Sequence, residues 1–533
     1  MKKKKYYLLT GLPLLYFLLI LLLYRAEVGA PGSKIQNFSD VIWYSIVTLS
    51  TVGYGDMTPV TTGGRVISAI FLLLSAGVMV TVLGTMFSFL SGEAFPMFRL
   101  QFQRRKNWYY FADYGIEALT MAENIRGDEP EAVIIFGEKP GEQDTGADFP
   151  CYYLQSPLQL IIRCKAGAGE PCQVFFMKEN GINASAGGRD IQELPVRAYA
   201  RTSNGQDQMV GNVRFFHTYE CCARTYWQTH PLHFEERSIV LIGFGAYGQN
   251  LLERAILTNV IREDQTVTYH IFGEAGNFLQ MHDHLQQMFD IYQQTEGSEK
   301  AAAASKPGRD ALVFHADSWE ASGSLLRQAD RIIICMDKED VGWEIYWNLR
   351  KFYRIRAQID VRSSRPAPGI SVFGTIREIY TPRQILRQQL NASAIAMNEI
   401  YRKSTPGPTL SWDELSEFMR QSKIAAADHL LVKARILLGN EDICEVSAAV
   451  LHNAAAAYRH DLRFPGRIEA YRRLEHLRWC RFYAFHNWEN GRETDRTDHI
   501  HPMLVAYEEL TEKEAAHHDH AWELLEELAD TQC

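Results

Sequence analysis

The sequence predicts a three-part fold: an α-helical membrane unit of two spans with a re-entrant loop, then α/β domains on parallel sheets, then an all-α region. Three observations predict it. Two long apolar runs, Tyr6 to Tyr24 and Val66 to Leu90, lie near the start of a chain of 533 residues. Short apolar runs alternating with helix-like amphipathic patterns fill residues 107–404. After the Thr405-Pro406-Gly407-Pro408 linker the strand-like runs cease and the chain reads as helix.

Each long run is close to the roughly 20 residues that a spanning helix needs. Lys2 to Lys5 precede the first run, and Arg99, Arg104, Arg105 and Lys106 follow the second. These positive flanks place both termini in the cytoplasm, with the chain crossing the lipid bilayer of the plasma (inner) membrane more than once. A cleaved signal peptide fits less well, because the first run exceeds a usual apolar segment and no small-residue cleavage site after it is convincing. Between the runs stands Thr51-Val52-Gly53-Tyr54-Gly55-Asp56. Its two glycines allow backbone angles that turn successive carbonyls toward one axis. TVGYG is the filter sequence by which potassium channels are known, four copies replacing the hydration shell of the ion with carbonyl oxygens. Potassium is therefore expected at Thr51, Val52, Gly53 and Tyr54, with Gly55 completing the filter and the unit acting as a pore. Ser39-Asp40 is expected to cap a short helix, Val41 to Thr48, whose C-terminal dipole end faces the pore. Trp43 and Tyr44 on that helix are expected either to pack around the filter or to anchor at the membrane interface.

Residues 1–95 resemble the two-transmembrane-helix potassium channels of prokaryotes. The matching residues are Trp43-Tyr44-Ser45, Thr48, Thr51 to Asp56, Pro59 and Gly64-Arg65. Val47 stands where some relatives carry a glutamate behind the filter. The gate hinge glycine of the inner helix falls by spacing on Ser75, with Gly77 two residues on, so a bend is expected there.

Asp and Glu outnumber Lys and Arg by 64 to 55, a net charge of −9 carried mostly after the second run, which argues against a nucleic-acid partner. All nine Cys fall on the side expected to be cytoplasmic, where thiols stay reduced. No CxxC pair occurs, so a structural zinc site has no support. Adjacent Cys221 and Cys222 read as buried apolar residues.

A second motif lies at Arg237 to Gly248. An apolar run ends in Gly243-Phe244-Gly245-Ala246-Tyr247-Gly248 and opens a helical pattern, Gln249 to Leu257. This is the context that a G-x-G-x-x-G dinucleotide fingerprint requires. The first glycine makes the tight turn, the second admits a pyrophosphate, and the third lets helix pack on strand. The next strand, Val267 to Phe272, ends at Gly273-Glu274, and Glu274 is the candidate partner of a ribose hydroxyl. A Rossmann unit follows, with Gly243 to Gly248 and Glu274 as its nucleotide site; glycines kept for packing alone are the alternative.

The stretch after the pore repeats this layout. Phe111-Ala112-Asp113-Tyr114-Gly115 and Ile116 to Asn124 match Phe244 to Gly248 and its helix, and Ile134 to Glu138 matches His270 to Glu274 at nearly the same offset. Here Tyr110 and Ala112 replace the first two glycines and are expected to obstruct a pyrophosphate. Further strands are expected at Gln159 to Arg163, Gln173 to Met177, Val196 to Arg201 and Val213 to Phe216 in the first copy. In the second they are Ala311 to His315, Arg331 to Met336, Ala357 to Val361 and Gly369 to Phe373, with a helix at Val341 to Phe352. Glu296 to Asp310 reads as a mobile loop.

A pore followed by tandem Rossmann-like units resembles channels with regulator-of-potassium-conductance (RCK, or TrkA-N-like) domains, over roughly residues 1–400. That resemblance implies a homotetramer whose cytoplasmic ring binds a ligand, expands and pulls on the inner helices. The ligands it implies are NAD(H) or an adenine nucleotide; calcium is also known in the family, but nothing in this sequence supports it. The implied divisions are a pore (1–95), a gating linker (96–106), a first RCK-like domain (107–235), a second with the intact glycine motif (236–404) and a helical domain (409–533).

The last region carries Ser411 to Leu415, Ala425 to His429, Leu474 to Trp479, Asn487 to Gly491 and His501 to Leu504. It resembles the helical repeat of ryanodine receptors (RyR), departing where Asn487 replaces the glycine before Trp488. Glu475, His476 and Arg478 lie on an amphipathic helix and are expected to pair structurally rather than catalyse. His517, His518, Asp519 and His520 read as a solvated face rather than a metal site. The chain is thus expected to be a ligand-gated potassium channel and not an enzyme. Neither a membrane-tethered NAD-dependent oxidoreductase nor a subunit of a potassium uptake transporter fits as well. The first lacks an acid or base constellation, and the second usually separates its pore and ring on different chains.

Overall fold

The computed structural model describes residues 2–531 other than 143–145, 156–157, 166, 180–190, 192–193, 203–207, 295–308 and 406; the side chains of 2–14, 75, 76, 78, 82, 91, 208 and 294 are not described. The chain divides into two compact units, Met1–Arg104 and Arg105–Cys533.

The first unit is helical. Helix α1 (Lys2–Glu27) contains the first expected span, and α3 (Thr62–Ser91) contains the second; Thr62–Leu90 is long and apolar enough to cross a membrane. Between them α2 (Phe38–Leu49) starts earlier than Ser39-Asp40 suggested. Asn37 is the cap: its Oδ1 accepts from Asp40 N at 3.0 Å, and Asp40 Oδ2 accepts from Asn37 N at 3.1 Å. This reciprocal box satisfies two free amides at once, so Asp40 serves as the third helical residue. Leu19, Leu23, Ile35, Val41 and Phe71 bury together where the three helices meet. Helix α3 continues unbroken through Ser75 and Gly77, where the Thr81 hydroxyl donates to the Gly77 carbonyl at 2.7 Å. A short helix, α4 (Ala94–Gln101), follows Gly92.

The second unit holds two seven-stranded sheets. The first contains β1 (Trp108–Phe111), β2 (Val133–Phe136), β3 (Tyr152–Tyr153), β4 (Cys172–Phe176), β5 (Val196–Thr202), β6 (Gln208–Val210) and β7 (Val213–His217), in the order β3-β2-β1-β4-β5-β7-β6. Every pair is parallel except β6 with β7. The second sheet contains β8 (Ser238–Ile242), β9 (Thr268–Phe272), β10 (Asp290–Gln294), β11 (Ala311–His315), β12 (Arg331–Ile334), β13 (Gln358–Arg362) and β14 (Ser371–Phe373), in the order β10-β11-β9-β8-β12-β13-β14, all parallel. Both are doubly wound, with the strand order reversing beside the first strand of each copy.

Alternation explains the apolar runs. Ile239 and Leu241 face one buried layer, while Val240 and Ile242 face the other, so both faces of the sheet are covered. One expected strand is wrong. Gln159 to Arg163 lies in the helix Leu158–Lys165, which buries Ile161, Ile162 and Lys165 on one side as the crossover between β3 and β4. A short apolar run bears either reading by pattern alone. Most of the expected loop Glu296 to Asp310 falls outside the described residues, but Asp310 itself is fully buried.

After Thr405 the described chain is helical, apart from isolated bridges at Ile500. Its helices include Glu417–Asp428, Leu430–Leu438, Ala448–Asp461, Pro465–Phe485 and His520–Thr531 around Trp412, Leu451, Tyr458, Trp522 and Leu525. Glu475 is paired as expected: Arg478 donates to it at 2.7 Å and Lys433 lies 2.9 Å away. Burial works to raise the Glu475 pKa, but the charges of Arg478 and Lys433 outweigh it and hold the group well below the usual carboxylate range. His518 is not a solvated residue: it is buried, with Nε2 3.0 Å from His476 Nδ1, while Asp519 pairs with Arg472.

Candidate functional site

The TVGYGD loop, the expected filter, leaves the C-terminal end of α2 and is held by it. The Val47 carbonyl accepts from both Val52 N at 3.1 Å and Gly53 N at 3.2 Å, and the Thr48 carbonyl accepts from Thr51 N at 3.1 Å. Gly53 and Gly55 have φ of 60° and 72°, in the left-handed region that a side chain resists. Thr51 also has φ 60°, a strained conformation for a β-branched residue. Trp43 sits against the loop: its Nε1 donates to Asp56 Oδ2 at 3.0 Å and its ring stacks on Tyr54 at 6.2 Å. Tyr44 packs instead into the apolar cluster between the helices.

Sequence reasoning missed Glu27. This fully buried carboxylate ends α1 and accepts from Val60 N at 3.0 Å, Thr61 N at 2.9 Å and Ser33 Oγ at 2.9 Å. Thr61 in turn caps α3, so one side chain ties the segment after the TVGYGD loop to two helix ends. A lone acid at the end of an apolar run was the available signal. A Glu27→Ala change strands those donors, and with about 1.5–3 kcal/mol for each hydrogen bond to a charged group it destabilises the pore mouth by several kcal/mol. Thermal unfolding of the purified membrane protein checks this; an unshifted melting temperature contradicts it.

In the second unit the carboxyl ends of β8, β9, β11 and β12 open into a cleft of about 950 Å³, near the upper end for small-molecule sites. Gly243, Phe244 and Glu274 line it, with Phe272, His315, Asp317 and Met336. Gly243 turns the chain at φ 103°, and a Cβ there would lie 2.8 Å from the Met336 sulfur. Gly245 caps the helix Ala246–Thr258. A Cβ on Gly248 would press on the Gly243 carbonyl, whose carbon would lie 3.1 Å away, and on the Cys335 sulfur just after β12 at 3.3 Å. Ala246 opens that helix. Tyr247 packs against the Tyr219 ring at 4.7 Å and beneath the Arg362 guanidinium at 4.5 Å, not along the cleft wall. His315 was recognised only as a strand end. Its ring stacks on Phe272 at 4.3 Å, its Nε2 is 3.1 Å from His270 Nδ1, and burial pushes both imidazoles down to about 4. Among the described residues no group of three or more His, Cys, Asp or Glu is arranged to hold a metal ion.

Tyr153, Phe136, Phe111, Phe175 and Tyr199 stand in register on five neighbouring strands of the first sheet and stack ring on ring, 4.8–5.8 Å apart. Next to this ladder a Cβ on Gly137 would lie 3.0 Å from the ring of Tyr110, the residue that replaces the first glycine.

The helical region reaches back to the cleft wall. Leu279 and Gln280 line the cleft, and the next residues are gripped by the turn after Pro465–Phe485. His282 stacks on Phe485 at 3.8 Å and is 2.7 Å from its carbonyl, Asn487 donates to the Met281 carbonyl at 2.6 Å, and His284 N donates back to Asn487 at 3.3 Å. Asn487 has φ 58°, a left-handed conformation that asparagine tolerates.

Residues 9–92 match the ion channel family, so the first unit carries an ion channel domain. Among curated proteins, potassium voltage-gated channel subfamily A member 4 of Homo sapiens is 40% identical over 60 residues, 11% of this chain and 9% of that one. The calcium-gated potassium channel TvoK of Thermoplasma volcanium is 27% identical over 113 residues, 20% of this chain and 30% of that one. The chain thus spans less than a third of the length of either relative. A solved structure of GsuK bound to ADP superposes with a TM-score of 0.38 and 12% identity, covering 72% of this chain and 98% of that one. At that score the likeness carries no argument about this chain.

Proposed function

We propose that this protein is a potassium-selective channel whose gate answers to a nucleotide in the second Rossmann cleft. The TVGYGD loop, docked beneath α2 with two left-handed glycines, carries the reading. The two curated relatives described above are potassium channels, and the calcium-gated one supports control by a ligand. A filter of carbonyls needs four chains around one axis, so the working form is a homotetramer. It lies in the plasma membrane with both termini in the cytoplasm, and potassium binds at Thr51 to Tyr54.

The ligand is NAD(H) or an adenine nucleotide, held over Gly243 to Gly248 with Glu274 toward its ribose. Ligand binding pulls through residues 96–106 on α3, which bends near Ser75 and Gly77. The division into pore (1–95), linker, RCK-like domains (107–235 and 236–404) and an accessory helical domain (409–533) belongs to the same proposal. The test is the purified protein in a planar bilayer under a potassium gradient, with NAD+, NADH, ADP, ATP and ADP-ribose perfused in turn. One of them changes the open probability, and Gly245→Asp abolishes that response while leaving potassium current. Current that ignores all five rejects the nucleotide site.

A further inference from the structure

In a Rossmann cleft a ligand's phosphates come to rest over the second glycine, at the positive end of the following helix. Here that space is taken. A Cβ built on Gly245 would lie 2.8 Å from Asp337 Cγ and 3.0 Å from its Oδ1, so the Asp337 carboxylate stands directly over the glycine. The helix it faces is 13 residues long, and Gly245 supplies no side-chain cap. A carboxylate at this place gains from the helix dipole much as a phosphate would.

The rest of the cleft offers an anion little compensation. Among its described lining residues Glu274, Asp317, Glu320 and Glu344 are acidic and none is Lys or Arg. Arg362, whose guanidinium lies over Tyr247 in the first turn of that helix, is spent on the loop that carries Asp337. Its Nε donates to the Met336 carbonyl at 2.8 Å and its Nη2 to the Asp337 carbonyl at 3.0 Å. The cation thus fixes the acid in position and leaves its side chain free to face the glycine.

Resting on the nucleotide reading of this cleft, we propose that Asp337 is a specificity-determining residue, an internal placeholder that a ligand's phosphates must displace. The cleft then ranks nucleotides by charge. A dinucleotide of low net charge enters most easily, and a free polyphosphate enters well only when a divalent cation neutralises it.

The experiment is calorimetric titration of the purified full-length protein with NAD+, ADP and ATP, first in chelator and then with magnesium. In chelator the wild-type affinity falls from NAD+ to ADP to ATP. Asp337→Asn raises ATP affinity about tenfold, the scale of one like-charge contact in a solvent-open site, raises that of ADP less and leaves NAD+ nearly unchanged. Magnesium narrows the difference between the two proteins. Equal changes for all three ligands, or none, overturn the placeholder. If the wild type binds NAD+ and Gly245→Asp abolishes it while Asp337→Asn leaves the ranking intact, the cleft stands and the placeholder falls. If neither the wild type nor Asp337→Asn binds any of the three, the nucleotide reading falls and takes the placeholder with it.

Discussion

Gly53→Ala is expected to yield a folded membrane protein without selective potassium current. Gly53 has φ 60° and its amide donates to the Val47 carbonyl at 3.2 Å. An L-residue pays roughly 1–2 kcal/mol in that conformation, so the four copies of the proposed tetramer accumulate on the order of 4–8 kcal/mol of strain. Relaxing it rotates the peptide and turns away a carbonyl that the proposed filter aims at the ion. Neighbouring Thr51 is already left-handed at φ 60°, so the loop has little slack to absorb the change. Reversal potentials under opposed potassium and sodium gradients give the readout, with gel filtration to verify assembly. A variant that retains wild-type preference for potassium refutes the assignment of this loop as the filter.

Asp310→Ala is expected to be the most destabilising single change in the second unit. Asp310 precedes β11 and is fully buried, and Arg481 of the helix Pro465–Phe485 donates to it at 2.8 Å with 2% of its own side chain exposed. Asp310 also accepts from Val267 N at 2.7 Å and Gln265 Nε2 at 3.1 Å. Among the described residues Arg481 Nε and Nη1 meet no hydrogen-bond partner, so this carboxylate is the principal polar compensation of the guanidinium, which also lies over the Phe289 ring. Removing one partner of a buried pair costs about 3–5 kcal/mol, whereas replacing both with apolar groups is often close to neutral. Chemical denaturation should therefore show a large loss for Asp310→Ala and a recovery of most of it in Asp310→Ala with Arg481→Met. A loss below about 1 kcal/mol for the single change would contradict the pairing, being no more than a surface ion pair contributes.

The parts legible in the sequence were those set by local chemistry. Ile239 to Ile242 is a continuous apolar run because both faces of its strand are covered, and Gly243 follows because the turn there needs a positive φ. The repeat was visible for the same reason, since both sheets reuse one strand–turn–helix unit. What escaped depends on groups distant in sequence. Glu27 acquires its role only when Val60 and Thr61 return to the end of α1. Asp310 was read as part of a loop because nothing near it announces Arg481. Gln159 to Arg163 was misread because a crossover helix that buries one side and a short strand carry the same apolar residues. Asp337 follows a strand and precedes a helix, and only the folded chain brings it over Gly245.

The grip of His282 on Phe485 also bears on how the chain is made. The two residues are 203 positions apart, and the wall they complete borders Leu279 and Gln280. At the roughly 5–20 residues per second of synthesis, a ribosome needs about 10–40 s to travel from one to the other. Throughout that interval the nascent second sheet carries a cleft with one side unbuttressed. A chain interrupted before Phe485 would hold every strand of both sheets, yet leave one wall of this cleft without its support.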